Sequence, residues 1–292
     1  TASLGAVGAT NSEIAKKLNT VVKSSDKTDI IDTAVNNSDF AGGFGTEKTP
    51  YLISNKTHFE NISKLSSQMA SGKYFYFSMI NDIDIENYKN KDSSGEIFTG
   101  SFDGNGYTIY ASATSQWCTF FDKNGANTIV KNFTLVNNGD YIATIINQVN
   151  HSISFENIVV KSSKDKALTS GYGCSSFTES VWTASEPVIF KNCVVDFDYS
   201  VNSKYAGIFV GNMCITSDIS FIDCVNKGTV SAPKIGFFIG NDANANPGAK
   251  IVISGCENQG KMIGEYYAFV LVNETSKITS INEKIMNDEA VF

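Results

Sequence analysis

Asp82, Asp84 and Glu86 are the acidic residues of this 292-residue chain best spaced for chemistry. They alternate with Ile83 and Ile85, so in a strand all three carboxylates share one face. Two acids flanking a glycosidic bond, ~5–9 Å apart, are the equipment of glycoside hydrolysis, and Asp82 with Asp84 is the candidate pair. The same spacing describes a solvated face above a buried isoleucine row, and this plainer reading is preferred because no base, nucleophile or complete metal site accompanies the acids. Calcium is an option at these acids or at Asp103, although no EF-hand-type loop is present; otherwise no cofactor is expected. Asp103 lies in Phe102-Asp-Gly-Asn-Gly106, where Asp-Gly and Asn-Gly are turn signatures. His58 and His151 read as surface histidines, and no Gly-x-Ser-x-Gly, His-Glu-x-x-His or phosphate loop occurs.

The elements that must carry these residues announce themselves by repetition. Segments beginning at Val130, Phe155, Phe190, Phe221 and Ile253 follow one pattern, with start-to-start spacings of 25, 35, 31 and 32 residues. Repeats of this size indicate a stacked solenoid. Three positions on from the first column stand Phe133, Ile158, Cys193, Cys224 and Cys256; between the two runs Asn132, Asn157, Asn192, Asp223 and Gly255. Simple alternation would put first and fourth positions on opposite faces, yet both are apolar, so the chain must be re-aimed between them. Asn, Asp and Gly tolerate the left-handed conformation that such a bend requires. The middle column therefore reads as a turn between short strands, with amides stacked along the ladder. A second, aromatic strand precedes each unit, at Cys118, Ile142, Cys174, Ala206, Ile235 and Tyr267. The fold class is all-β: a right-handed parallel β-helix, preferred over a β-sandwich with coincidental spacing.

The N-terminal part adds a cap with one or two short helices. Ile14, Leu18, Val21 and Val22 predict an amphipathic helix over residues 11–24. Thr57-x-x-Glu60 reads as a capping box, Phe59, Ile62, Leu65 and Met69 as an apolar stripe, and Gly72 as the stop. The chain divides into an arm with a short helix and linker (1–40), a cap and first coil (41–105) and β-helix coils (106–292).

Several segments resemble GLUG-type β-helical surface proteins: Gly43-Phe-Gly-Thr46 with Pro50-Tyr-Leu-Ile53, Gly72-Lys-Tyr-Phe75, Asn81-Asp-Ile-Asp84, Phe98 to Ile109, and Phe221 to Gly240. The likeness runs from about Gly42 to Gly264. The namesake Gly-Leu-Val-Gly core is degenerate, replaced by Gly207-Ile-Phe-Val-Gly211 and Gly236-Phe-Phe-Ile-Gly240. The resemblance implies a bacterial cell-wall or adhesin-like repeat, of a kind also found beside IgA-protease-type peptidase domains. It also brings in polysaccharide lyases of β-helical fold, which work with a Lys or Arg base and often calcium.

Composition narrows the partners. There are 23 lysines and no arginine, so the bidentate fork for phosphate and carboxylate is missing. A net charge of −7 without a basic run argues against nucleic acid, and no apolar run is long enough to span a membrane. Thr1 to Thr10 lacks the charged start and apolar block of a signal peptide and fits a mature end left by cleavage. Cys193, Cys224 and Cys256 share a column and read as small interior hydrophobes rather than disulfide partners or metal ligands. Six Asn-x-Ser/Thr sequons occur, about what chance gives in so Asn-rich a chain.

Insertions into the coils mark outer loops, where solenoids usually bind. The longest, residues 161–185, carries Tyr172 and Trp182; the polar stretch 241–248 carries Asn241, Asp242 and Asn244. The expected function is a non-catalytic, extracellular or cell-surface adhesin-like protein, binding a host or cell-surface glycan or protein through these residues. Alternatives are a structural subunit of a surface layer, filament or viral exterior that contacts sister subunits, and a carbohydrate-active enzyme using Asp82 and Asp84.

Overall fold

In the computed structural model the described residues are 39–88, 94–115, 118–164, 167–170, 175–182, 186–201, 205–212, 218–242, 250–272 and 277–282. The helix expected over 11–24 lies outside this set. All strand ladders among the described residues are parallel, and they form a right-handed β-helix, the hand that strand twist imposes on crossover connections.

The first face is nine strands deep: Tyr51–Ile53, Phe75–Met79, Gly100–Asp103, the starts of Thr128–Asn137 and Ile153–Ser162, then Val188–Lys191, Ile219–Ile222, Lys250–Ser254 and Lys277–Asn282. The second face holds Ile83–Tyr88, Thr108–Ala113, the ends of the two ten-residue strands, Val194–Asp196, Val225–Asn226 and Glu257–Asn258. A narrow third face stacks Leu168–Ser170, Tyr199–Val201, Thr229–Ser231 and Lys261–Ile263. The fourth carries the aromatic strands, including Thr119–Asn124, Thr144–Val149, Thr178–Val181 and Lys234–Asp242.

The corner between the first two faces is the predicted Asn column. Asn132, Asn157, Asn192, Asp223 and Gly255 have φ of 60, 54, 53, 53 and 64°, while the first coil turns this corner through a longer segment with Asn105 and Gly106 at 50 and 81°. One left-handed residue breaks the alternation, so Phe155 and Ile158 both point indoors, as do Phe221 and Cys224. The amides stack as well: Asn132 Nδ2 donates to Asp103 Oδ1 (3.0 Å), Asn157 Nδ2 to Asn132 Oδ1 (2.9 Å) and Asn192 Nδ2 to Asn157 Oδ1 (3.0 Å).

Inside, like sits on like. Phe155, Phe190 and Phe221 are fully buried and pair in register, with successive centroids 4.9 Å apart and rings within 16° of parallel. That distance is the rung spacing of about 4.8 Å. Phe177, Phe209 and Phe238 fill the opposite side of the bore. Cys193, Cys224 and Cys256 are free and buried, each Sγ directed at the carbonyl of Phe155, Phe190 or Phe221. Burial, then the Cys193 thiol, pushes the Cys224 thiol far above its ordinary pKa; the hydrogen bond to Cys224 together with burial does the same to Cys256. These are inert packing groups.

The degenerate glycine cores have a steric reason. A Cβ on Gly207 would stand 1.7 Å from the Val210 carbonyl oxygen, and one on Gly236 1.8 Å from that of Ile239. The strand folds tightly enough to send both Phe237 and Phe238 indoors, and only glycine leaves room for the backbone at its base.

The cap differs from the expected one in its first turn. Asn55, not Thr57, is the N-cap: it is extended (φ −161°) and its side chain accepts from the His58 N–H. Glu60 is then too far along to close a capping box. The helix is also broken into Lys56–Glu60, a 3₁₀ stretch Asn61–Leu65 and Ser66–Ala70. The apolar stripe holds, with Phe59, Ile62, Leu65 and Met69 buried and Phe59 edge-on to Phe102 and Phe120. The helical stretch thus plugs the bore. The free edge of the first rung is closed by a separate segment: Ala41 N–H donates to Leu52 O, Leu52 N–H to Gly42 O, and Phe40 stacks on Tyr51 at 4.3 Å. Covering that edge removes a template for unwanted strand pairing.

Candidate functional site

The acidic row is built as expected. Ile83 and Ile85 are buried, and Asp82 and Asp84 are exposed between them. The next rung uses one of these acids, since Asp82 Oδ1 accepts the Thr108 N–H at 2.7 Å. Asp84 faces Tyr110 in register, whose ring is 36% exposed, so an aromatic surface does stand beside the acid. The Glu86 side chain is outside the described set. Asp103 is a turn residue: Oδ1 accepts from Asn105 N–H and from Asn132 Nδ2, and Oδ2 pairs with Lys131 Nζ at 3.4 Å.

The expected 161–185 loop is not one loop. It contains the strand Leu168–Ser170 on the third face and Thr178–Val181 on the fourth. The buried Leu168, Phe177 and Val181 continue the core through it; the expected aromatic strand at Cys174 forms a little later, at Thr178–Val181, and the polar residues around Leu168 hid the other. Trp182 follows the second strand. The residue is 46% exposed, its backbone N–H donates to Val149 O (2.8 Å) and its Nε1–H donates to Ser180 Oγ (3.1 Å). An exposed indole fixed through its Nε1–H, on a backbone that is itself hydrogen-bonded, is a preformed apolar platform. Tyr172 and Asn244 lie outside the described residues. Asn241 and Asp242 end the strand Lys234–Asp242 instead of opening a loop, opposite Asn212 and Val272 respectively. Pairing with the neighbouring rungs extends that strand past its glycines.

Near Trp182 the chain is clasped to the rung before it. Glu186 Oε2 accepts the Ser152 N–H (2.6 Å), and Oε1 meets His151 Nδ1 at 3.2 Å. The Ser152 amide, then the His151 side chain, hold the Glu186 carboxyl below the usual range. His151 is exposed as expected, whereas His58 is half-buried against Ser54 Oγ (3.0 Å) and burial lowers its pKa.

Two shallow grooves lie on the described surface. One, of about 240 Å³, lies where the second face ends and includes Lys164, Asp196, Asp198 and Lys227. The other, of about 410 Å³, follows the Asn corner. Flanking that corner is a row absent from the sequence reading: Asp103, Lys131, Glu156 and Lys191 face one another in register with alternating sign. Each directly follows the residue of the first apolar column, a regularity that could have revealed it. Asp122 was missed too; it is fully buried, bound by Asn147 Nδ2 (2.8 Å) and Gly95 N–H (2.7 Å). Among the described residues no group of three or more His, Cys, Asp or Glu is placed to hold a metal ion, and no helix is long and apolar enough to cross a membrane.

No family model matches the chain. It is 32% identical over 115 residues to a protein of Evansella cellulosilytica named "Putative Gly-rich membrane protein", a match covering 35% of this chain and 12% of that protein. The matched region is thus a small part of a much longer relative. Among solved structures, the fold is similar to a "putative immunoglobulin A1 protease" from Bacteroides ovatus, with TM-score 0.53, 20% identity, and coverage of 85% of this chain and 84% of the other. That likeness establishes the β-solenoid.

Proposed function

We propose that the chain is a non-catalytic, adhesin-like binding module of the cell surface, of the GLUG-like kind, which contacts a glycan or protein through its lateral edge at Trp182. The observation that carries this reading is the exposed Trp182, its indole Nε1–H bonded to Ser180 Oγ and its backbone N–H to Val149 O. A rigid aromatic ring presents apolar area with little rotamer entropy to lose, and suits either a sugar face or a protein side chain. The membrane-protein name of the Evansella relative is in keeping with a surface location. The acidic net charge, −7 without arginine, disfavours nucleic acid as partner.

Glycan-array and cell-binding assays of the wild type and Trp182→Ala test the proposal. The expected result is binding that Trp182→Ala reduces and that the Asp82→Asn/Asp84→Asn double variant leaves intact. The alternative is a carbohydrate-active enzyme, for which the Asp84–Tyr110 neighbourhood is the specific support. Release of reducing or unsaturated sugar by the wild type, abolished in the double variant, would establish the enzyme and overturn the binding module.

A further inference from the structure

The groove along the Asn corner has a chemistry of its own. Its floor includes the amides of Asn105, Asn132 and Asn157, and its wall includes Thr134 and Val159. An Asn side chain offers two N–H donors and two carbonyl lone pairs. In the ladder, Asn132 and Asn157 each spend one N–H on the preceding rung and one lone pair on the following one. Each keeps one donor and one acceptor, repeated at the rung spacing of about 4.8 Å. Asn157 and Asn192 are exposed.

The wall repeats in step with the floor. Thr108, Thr134, Val159, Val194 and Val225 stand in register on the outer side of the second face, all half-buried. On the other side of the corner the charged row runs Asp103, Lys131, Glu156, Lys191, so its signs cancel from rung to rung. The surface is therefore a strip of paired donors and acceptors, bordered by a rail of small β-branched side chains, Thr then Val, and by a neutralised charge rail, all running along the helix axis.

We infer that this corner binds a neutral, linear, β-1,4-linked hexose chain lying parallel to the helix axis, one sugar per rung. Hydroxyl groups both donate and accept, which matches the free half of each amide. The apolar face of a pyranose matches Thr134 and Val159. An extended β-1,4-linked chain advances by close to one rung per sugar, so every coil meets a sugar; successive sugars are turned over, and each amide can serve either edge because it keeps both a donor and an acceptor. A polyanion would meet a carboxylate on alternate rungs, and a folded protein surface lacks the axial period. The site is separate from the Trp182 edge and does not depend on it.

Titration calorimetry with cellobiose through cellohexaose tests the inference. Affinity is expected to rise with each added glucose up to about three, the number of rungs from Asn132 to Asn192; Asn105 adds no free donor, since its Nδ2 already bonds Ser78 Oγ and Met79 O. Val159→Arg and, independently, Thr134→Arg place a long side chain across the groove from half-exposed positions; each variant is first checked for unchanged thermal melting. Either should weaken cellotetraose binding at least ~tenfold, equivalent to ~1.4 kcal/mol, while Trp182→Ala leaves it unchanged. Absence of binding by every oligomer, or affinity independent of length, overturns the inference. Loss on Trp182→Ala with both arginine variants unaffected would also overturn it, and would leave the lateral-edge proposal standing.

Discussion

Truncating Phe221 to alanine removes one ring from the middle of the aromatic stack. The side chain is fully buried, with Phe190 4.9 Å away on one rung and Phe238 4.4 Å away across the bore. Phe→Ala in a close-packed core costs ~3–5 kcal/mol, because the transfer term and the residual cavity add. Three lost ring contacts, the third with Phe209 at 5.9 Å, each about 0.5–1.5 kcal/mol beyond area burial, place this site near the top of the range. With a urea slope of ~2–3 kcal/mol per M, the denaturation midpoint should fall by roughly 1.5–2 M. A solenoid's stability is largely a sum of nearest-neighbour terms, so the damage should also be local. Hydrogen exchange should accelerate in the adjoining rungs Val188–Lys191 and Lys250–Ser254, and remain slow in Phe75–Met79 at the other end of the ladder. A midpoint shift below ~0.5 M would refute the stacked interior, and equal loss of protection at Phe75–Met79 would refute the nearest-neighbour account.

The corner makes a second test. Asn157→Ala must hold an alanine at φ 54° and forgo two ladder hydrogen bonds, a loss of ~2–3 kcal/mol. Asn157→Gly relieves the backbone part and should cost clearly less, so equal thermal melting of the two variants would contradict the left-handed bend. The Cys224 and Cys256 thiols are held protonated when folded. Their contribution is complete below the unfolded thiol pKa of ~8.5 and is lost as pH rises beyond it. Urea midpoints should therefore fall between pH 8 and 10, less so in Cys224→Ala, and thiol reagents at pH 8 should label these cysteines only after denaturation. Glu186 titrates the other way. Its lowered pKa gives stability present above the unfolded value of ~4.3 and lost as pH falls through the folded one. The protection factor of the Ser152 amide, its exchange rate relative to the intrinsic rate at the same pH, should fall on acidification, and Glu186→Gln should flatten that dependence.

Much of the coil was legible because stacking makes one rung's constraints recur in the next. The Phe and Cys columns are indoors and the Asn column is at φ > 0, since no other arrangement puts Phe221 and Cys224 on the same side of Asp223. The third face was not legible: strands such as Tyr199–Val201 and Thr229–Ser231 are three residues long, too short for a period to show. The cap misled because Thr57-x-x-Glu60 satisfies a capping box by composition, while Asn55, two residues earlier, takes the N–H first. The candidate site was legible only in part. Trp182 could be singled out as an aromatic residue in an insert, but its anchoring by Ser180 and Val149 depends on strand register. The charge row was hidden for a related reason, since its members are 25 to 35 residues apart in the chain and meet only through the ladder.

The first and last described rungs, Tyr51–Ile53 and Lys277–Asn282, sit at opposite ends of the ladder. Tension applied between them therefore runs along the inter-rung hydrogen bonds and loads the coils in series. The bonds of one interface bear the force and part before those of the next, so the column yields coil by coil. A repeat of 25 to 35 residues that occupied about 4.8 Å of axis then pays out roughly 80–125 Å of chain. Under load, such a stack behaves as an extensible tether with many small yield points, dissipating work at each coil while the coils beyond remain folded.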